Sequence, residues 1–331
     1  MSSAAELVAP RNSLAPLKEG EDGLFTQSWF PVCLSSDVPT NDFRGFDFLG
    51  GRVIVVRDAE GRASVLSAYC PHMGADLCVG EMVEGTVRCP FHYWRYDTAG
   101  RCVATGSGDP VPPTARLFAF PTQEKFGFIF AFNGEEPLFE LPDLPKPADK
   151  LVWKVGEWNV RMPVDPWVIC CNTPDLQHIN VVHGITFDGQ PSDEVAWTPH
   201  SMTYLLKGTM RDGTRIEFDV GIYGTSIYWQ HGELGGRWFG FVAPMGLPRP
   251  GECRLFFAVA VEDDPADPEG TQAFLDAMYD LEVHVATEDL PILERARFRP
   301  GKMTRSDKTL VAFLRYLRAF PRAHPSAEYI S

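Results

Sequence analysis

Cys70-x-His72 and Cys89-x2-His92 are separated by sixteen residues, and each pair offers one thiol and one imidazole. Brought together, the four could close around a compact metal centre. A structural zinc is one reading, but zinc fingers and ribbons usually pair Cys with Cys and His with His. Loops of mixed type suit a two-iron cluster better, with both thiolates on one iron and both imidazoles on the other. Imidazoles in place of thiolates raise the reduction potential, and such a centre hands on single electrons. Trp94, just past the second pair, belongs to its surroundings. Cys78 and Cys102 read as small buried hydrophobes. With no apolar leader ahead of them, the eight cysteines read as reduced thiols or ligands, not disulfides.

A second constellation is Asn172-x2-Asp175-x2-His178-x4-His183, within CNTPDLQHINVVHG. Thr173-Pro174 reads as an N-cap and first turn, and Gly184 as a C-cap. Asp175 and His178 then share a helix face. His183 would point about 140° away from His178 on an ideal helix. Both reach one ion only if the helix ends, bends or widens there. Taken alone, the two could equally be hydrogen-bonded core histidines. An acid three residues before His178 favours ligation, because ligating imidazoles need an orienting partner.

A carboxylate can complete the set. Phe274, Met278, Leu281 and Val285 mark the buried stripe of a C-terminal helix, and Asp289 lies four residues on. A carboxylate on a buried stripe is costly unless paired or metal-bound. Glu288 reads as solvated, and Pro291 as a kink beside Asp289. Two histidines and one carboxylate form a facial triad that leaves open positions on Fe(II) for O₂.

The surrounding elements suggest an α+β chain. Residues 1–24 read as a loose arm, 25–136 as an all-β domain of hairpins presenting both Cys/His loops, and 137–150 as a proline-rich linker. Residues 151–331 read as a catalytic domain of antiparallel sheet and helices. Tyr228, Trp229, Trp238 and Phe239 are pocket candidates, with His231 as a polar contact. Arg305, Lys308, Arg315 and Arg318 form a basic face near the C-terminus. It reads as solvated or, in a second reading, as a dock for an acidic ferredoxin. The net charge of −14 argues against nucleic acid. No apolar run approaches the ~18 residues of a membrane span, and the expected location is cytoplasmic.

With both motifs in place, the chain resembles the terminal oxygenase component of Rieske non-haem iron oxygenases over roughly residues 26–320. Cys-Pro-Phe-His at 89–92 and Trp94-Arg95-Tyr96-Asp97 carry the likeness. Tyr93 departs from it, standing where the family usually has a small or acidic residue. The resemblance implies a [2Fe–2S] cluster on Cys70, His72, Cys89 and His92, and a mononuclear Fe(II) on His178, His183 and Asp289. It implies that Asp175 links His178 to the second cluster histidine, matching His92, of a neighbouring subunit in a ring-shaped homotrimer. Asn172 matches a supporting asparagine of the monooxygenase-like members, and the catalytic domain should be a helix-grip fold. HMGADL, CPFHYWR and EDLPILERARFRP are most similar to the branch containing 3-ketosteroid 9α-hydroxylase. The implied activity draws electrons from NAD(P)H through a separate reductase and monooxygenates a small or polycyclic apolar substrate. The same machinery could desaturate, demethylate or cyclise. The alternative from another class is an electron carrier whose second site is degenerate.

Overall fold

The computed structural model describes residues 14–189, 194–299 and 301–331. The β-branched run Val53–Val56 and the segment Ser64–Leu66 lie in two antiparallel strands, Gly51–Arg57 and Ala63–Ser67, turned at Gly61. With Asp42–Phe48 and Ala119–Phe120 they form a four-stranded sheet. Trp29–Leu34, Phe128–Phe132 and Thr122–Lys125 form a second sheet. Glu81–Val83, Thr86–Arg88, Arg95–Tyr96 and Cys102–Ala104 form a third. The Cys70 loop leaves the end of Ala63–Ser67, and the Cys89 loop joins Thr86–Arg88 to Arg95–Tyr96. Both expected hairpins are present.

The remainder is built on one eight-stranded antiparallel sheet. Its order is Leu151–Met162, Glu252–Glu262, Arg237–Arg249, Ile227–Leu234, Arg215–Tyr223, Ser201–Thr209 and Thr186–Phe187, with Ala196–Thr198 also paired to Ser201–Thr209. Helices grip one face: α1 (Pro166–Cys170), α2 (Leu176–Val181), the long α3 (Pro268–Leu293) and α4 (Lys308–Ala319), with α5 (Ala327–Ile330) further on. The architecture is α+β, as the sequence suggests. α4 buries Leu310, Phe313, Leu314 and Leu317 against the core under the eight-stranded sheet. Each such side chain is worth about 1.5–3 kcal/mol when fully buried. Among the described residues no helix is long and apolar enough to cross a membrane.

Parts of the expected arm and the expected linker are packed onto the domains. Residues 1–13 of the expected arm lie outside the described residues. From Leu14 onward the arm is held: the Glu19 carboxylate is buried and accepts from Thr26 N and Oγ1. The Glu19 backbone N–H donates to Asp165 Oδ2 at 3.1 Å. Residues 137–150, expected as a proline-rich linker, pack as a strap. Leu141 and Leu144 are buried with Trp29, Trp229 and Trp238, and the Trp29 and Trp229 indoles donate to Phe139 O and Asp143 O. The C-terminus leaves the eight-stranded sheet and its helices. Arg322–Ala323 pairs with Phe25–Thr26, and Ile330 enters the core of the first domain. A Cβ at Gly51 would lie 2.0 Å from Ile330 O, so only glycine admits that approach.

Candidate metal centres

In the first centre two short turns carry the four expected donors. Cys70 N donates to Ala75 O at 2.9 Å and Cys89 N to Trp94 O at 2.8 Å, closing each loop on itself. The two thiols are buried, while His72 and His92 are exposed with ring centroids 4.6 Å apart. Trp94 stacks on His72 at 4.4 Å and 7°. The Tyr96 hydroxyl lies 3.0 Å from Cys70 Sγ, and hydrogen bonds to sulfur tune the potential of a cluster. This donor set fits a [2Fe–2S] group, with sulfur ligands inside and imidazoles at the surface. Tyr93 takes φ 57°, a left-handed conformation, and its ring lies under the Arg88 guanidinium at 4.8 Å. Cys102 is buried, but Cys78 is only half-buried.

The second centre forms where α2 stops. Asp175, not Thr173, is the N-cap: its Oδ1 accepts from His178 N at 3.0 Å. Aspartate competes strongly for that position because its oxygen satisfies an otherwise orphaned N–H. The helix ends at Val181, and Gly184 at φ 69° turns the chain away. Ending the helix meets the demand that His178 and His183 face one point. Their Nε2 atoms are 3.0 Å apart, and Asp289 Oδ1 lies 3.2 Å from the first and 3.5 Å from the second.

Metal–ligand bonds of about 2.1 Å separate ligand atoms by about 3.0 Å at right angles and about 3.4 Å at tetrahedral angles. The three donors therefore fit one side of a single ion. Asp289 Oδ1 is buried and accepts no hydrogen bond, whereas Oδ2 accepts from Asn172 Nδ2 at 2.9 Å. A bare buried carboxylate oxygen beside two imidazole lone pairs is what a cation would satisfy. Histidine and carboxylate with open positions suit ferrous iron.

Glu288 overturns its sequence reading. It is half-buried and paired: its Oε2 lies 2.9 Å from His183 Nδ1, and Arg211 lies 3.6 Å from its Oε1. A carboxylate only accepts, so Nδ1 carries the proton and Nε2 keeps its lone pair for a metal. Glu288→Ala is expected to weaken iron binding at this centre about 10- to 100-fold. Titration with ferrous ion, followed by metal analysis, checks it; wild-type affinity would remove Glu288 from the centre.

The histidines and Asp289 line a cavity of about 400 Å³ between α3 and the sheet. Of the pocket candidates, Tyr228 lines it. Side chains alternate along a strand, so its neighbours Trp229 and His231 point to the opposite face. There Trp229 and Trp238 pack against the first domain, and His231 lies against both rings. Phe239 is buried in the catalytic core away from the cavity. The buried face of α3 carries Thr271, Leu275, Met278 and Glu282, one position round from the stripe read at Phe274 and Leu281, which are half-buried. α3 continues past Pro291 to Leu293. Gln230 and Glu282 also line the cavity, although the hydrophobic pattern of the sequence does not single them out. Inward parity with Tyr228 was the available signal for Gln230.

Residues 28–117 match the Rieske [2Fe–2S] domain family. Cholesterol 7-desaturase nvd 1 of Ciona intestinalis is 37% identical over 173 residues, covering 50% of this chain and 37% of that protein. Aminopyrrolnitrin oxygenase PrnD of Pseudomonas fluorescens is 35% identical over 211 residues, covering 59% and 57%. The 3-ketosteroid-9-alpha-monooxygenase oxygenase component of Rhodococcus rhodochrous is 32% identical over 165 residues, covering 48% and 43%. The chain thus spans 37% to 57% of the length of these relatives. Dicamba monooxygenase bound to dicamba superposes with a TM-score of 0.68 at 20% identity, over 88% of this chain and 96% of that one. At that identity the likeness is one of fold.

Proposed function

From its Rieske [2Fe–2S] domain and its Rieske oxygenase fold, we propose that this chain is a terminal oxygenase that monooxygenates a small or polycyclic apolar molecule. The observation that carries the reading is the bare Asp289 Oδ1 beside two imidazoles at the wall of an apolar cavity. When bound, the cluster supplies single electrons and a ferrous ion supplies reductive activation of O₂. The protein's part is positional. Glu288 holds the His183 tautomer, Asn172 fixes the Asp289 carboxylate, and Phe241, Phe257 and Leu255 keep water from the reacting carbon.

Electrons would come from NAD(P)H through a separate reductase, directly or by way of a ferredoxin. In a homotrimer the exposed His92 edge of one subunit would meet Asp175 of the next. Exposed apolar side chains lie on both prospective faces: Met73, Phe91 and Tyr93 near the cluster loops, and Val181 on α2. Such side chains favour burial at an interface. Desaturation is the second reading, favoured by the likeness to proteins named cholesterol 7-desaturase.

The test is O₂ consumption with a generic reductase across a panel of apolar ring compounds, with mass spectrometry of the products. Gain of one oxygen atom is expected; loss of two hydrogens would mark desaturation. A colourless protein carrying zinc and no sulfide would overturn both readings.

A further inference from the structure

Glu282 is a buried carboxyl group that the two metal centres do not use. It lies on α3 seven residues before Asp289, and both line the same cavity. Seven residues are about two turns, so the two share a helix face about 10.5 Å apart along the axis. Among the described residues its hydrogen-bond partner is Gln230, whose Nε2 donates to Oε1 at 2.6 Å. Gln230 is oriented in turn, because its Oε1 accepts from the Tyr228 hydroxyl. The chain of donors therefore runs from Tyr228 through Gln230 to Glu282 and leaves Oε2 for whatever fills the cavity.

No cation is paired with Glu282 among the described residues, and the cavity around it is mostly apolar, with Phe241, Phe257 and Leu281 in its wall. Burial pushes the Glu282 carboxyl up to about 8, against a partly offsetting hydrogen bond from Gln230. With no cation beside it and an apolar wall around it, the carboxyl favours its neutral form. Oε1 is already an acceptor, so the proton sits on Oε2.

We propose that Glu282 anchors the substrate by donating a hydrogen bond to a carbonyl oxygen on an otherwise apolar ring compound. The carbon to be oxidised then lies about two helical turns away, beside Asp289. This rests on the reading of the cavity as the substrate site.

The test is equilibrium binding by calorimetry to the full-length protein, without reductase or turnover. Three probes of one shape are compared: 2-acetylnaphthalene, 2-isopropenylnaphthalene and 1-(2-naphthyl)ethylamine. The ketone is expected to bind about tenfold more tightly than the hydrocarbon, the worth of one good buried hydrogen bond. Glu282→Gln should keep that preference within about threefold, because its Nε2 donates while its Oε1 still accepts from Gln230. Glu282→Leu should erase it. A ketone preference below about threefold in the wild-type protein, including no binding of any probe, overturns the proposal. Tightest binding of the amine, lost in Glu282→Gln, also overturns it and marks a carboxylate that pairs with cations. Selective ketone binding in a protein that never consumes O₂ would sink the oxygenase reading alone.

Discussion

Asp289→Ala is expected to leave two irons per chain where three are expected in the wild-type protein, and to reduce turnover to background. The two that remain are those of the cluster, so the Rieske EPR signal of the reduced protein should persist at wild-type intensity. The reason lies in the donor set. His178 and His183 alone offer two neutral nitrogens, and the carboxylate supplies the only negative charge among the three close donors. Removing it deletes one ligand and the charge that offsets a divalent ion. The fold should survive. In the absence of metal, Asp289 Oδ1 is a buried oxygen without a hydrogen bond, and deleting the carboxylate gives up the Asn172 bond at Oδ2, a cost of about 1–3 kcal/mol. Iron analysis, EPR and O₂ uptake on one preparation check the prediction. Three irons and full turnover in the folded variant would exclude Asp289 as a ligand.

The centres were legible in the sequence to the degree that their ligands are local. Cys70, His72, Cys89 and His92 sit on two tight turns, so their spacing alone nearly specifies the cluster. His178 and His183 were legible only with a condition attached, because five residues on a continuing helix diverge. The end of α2 at Val181 supplies the missing geometry. Glu288 was misread for a related reason. His183 lies beyond its helix and beside α3, so adjacent residues of α3 reach opposite edges of one imidazole, Glu288 at Nδ1 and Asp289 near Nε2. Stripe periodicity assigns a helix one inward direction and has no place for both.

Glu282 and Gln230 were hidden more deeply. A polar residue at a buried position contradicts the hydrophobic pattern unless its partner is known, and these two are partners only across the cavity. The pocket candidates failed by parity. Trp229 and Trp238 are large and apolar, but they face the first domain, where Trp29 and Phe128 pack with them. Composition cannot separate two buried faces of one sheet when both are apolar.

Asp175→Asn is expected to leave both metal centres filled and to slow product formation about 10- to 100-fold, the usual cost of losing a partner that orients metal-bound histidines. Asp175 has two separable tasks. One is local: its Oδ1 caps α2 through His178 N. Asparagine caps a helix about as well as aspartate, so the variant should keep its melting temperature, whereas Asp175→Ala should lose about 1 kcal/mol. The other task is the proposed link between His178 and the neighbouring subunit's His92. It needs a negative acceptor, because each metal-bound imidazole has only an N–H left to offer. Asparagine keeps one neutral acceptor and places an N–H₂ donor where the second acceptor stood. Reduction of the cluster by dithionite should therefore run at the wild-type rate, while single-turnover product formation lags behind it. The comparison isolates the step between the centres, since iron content, folding and cluster reduction are all held fixed. Product appearing at the wild-type rate in a single turnover would leave Asp175 as a helix cap and nothing more, and electrons would then have to reach the second centre by another path.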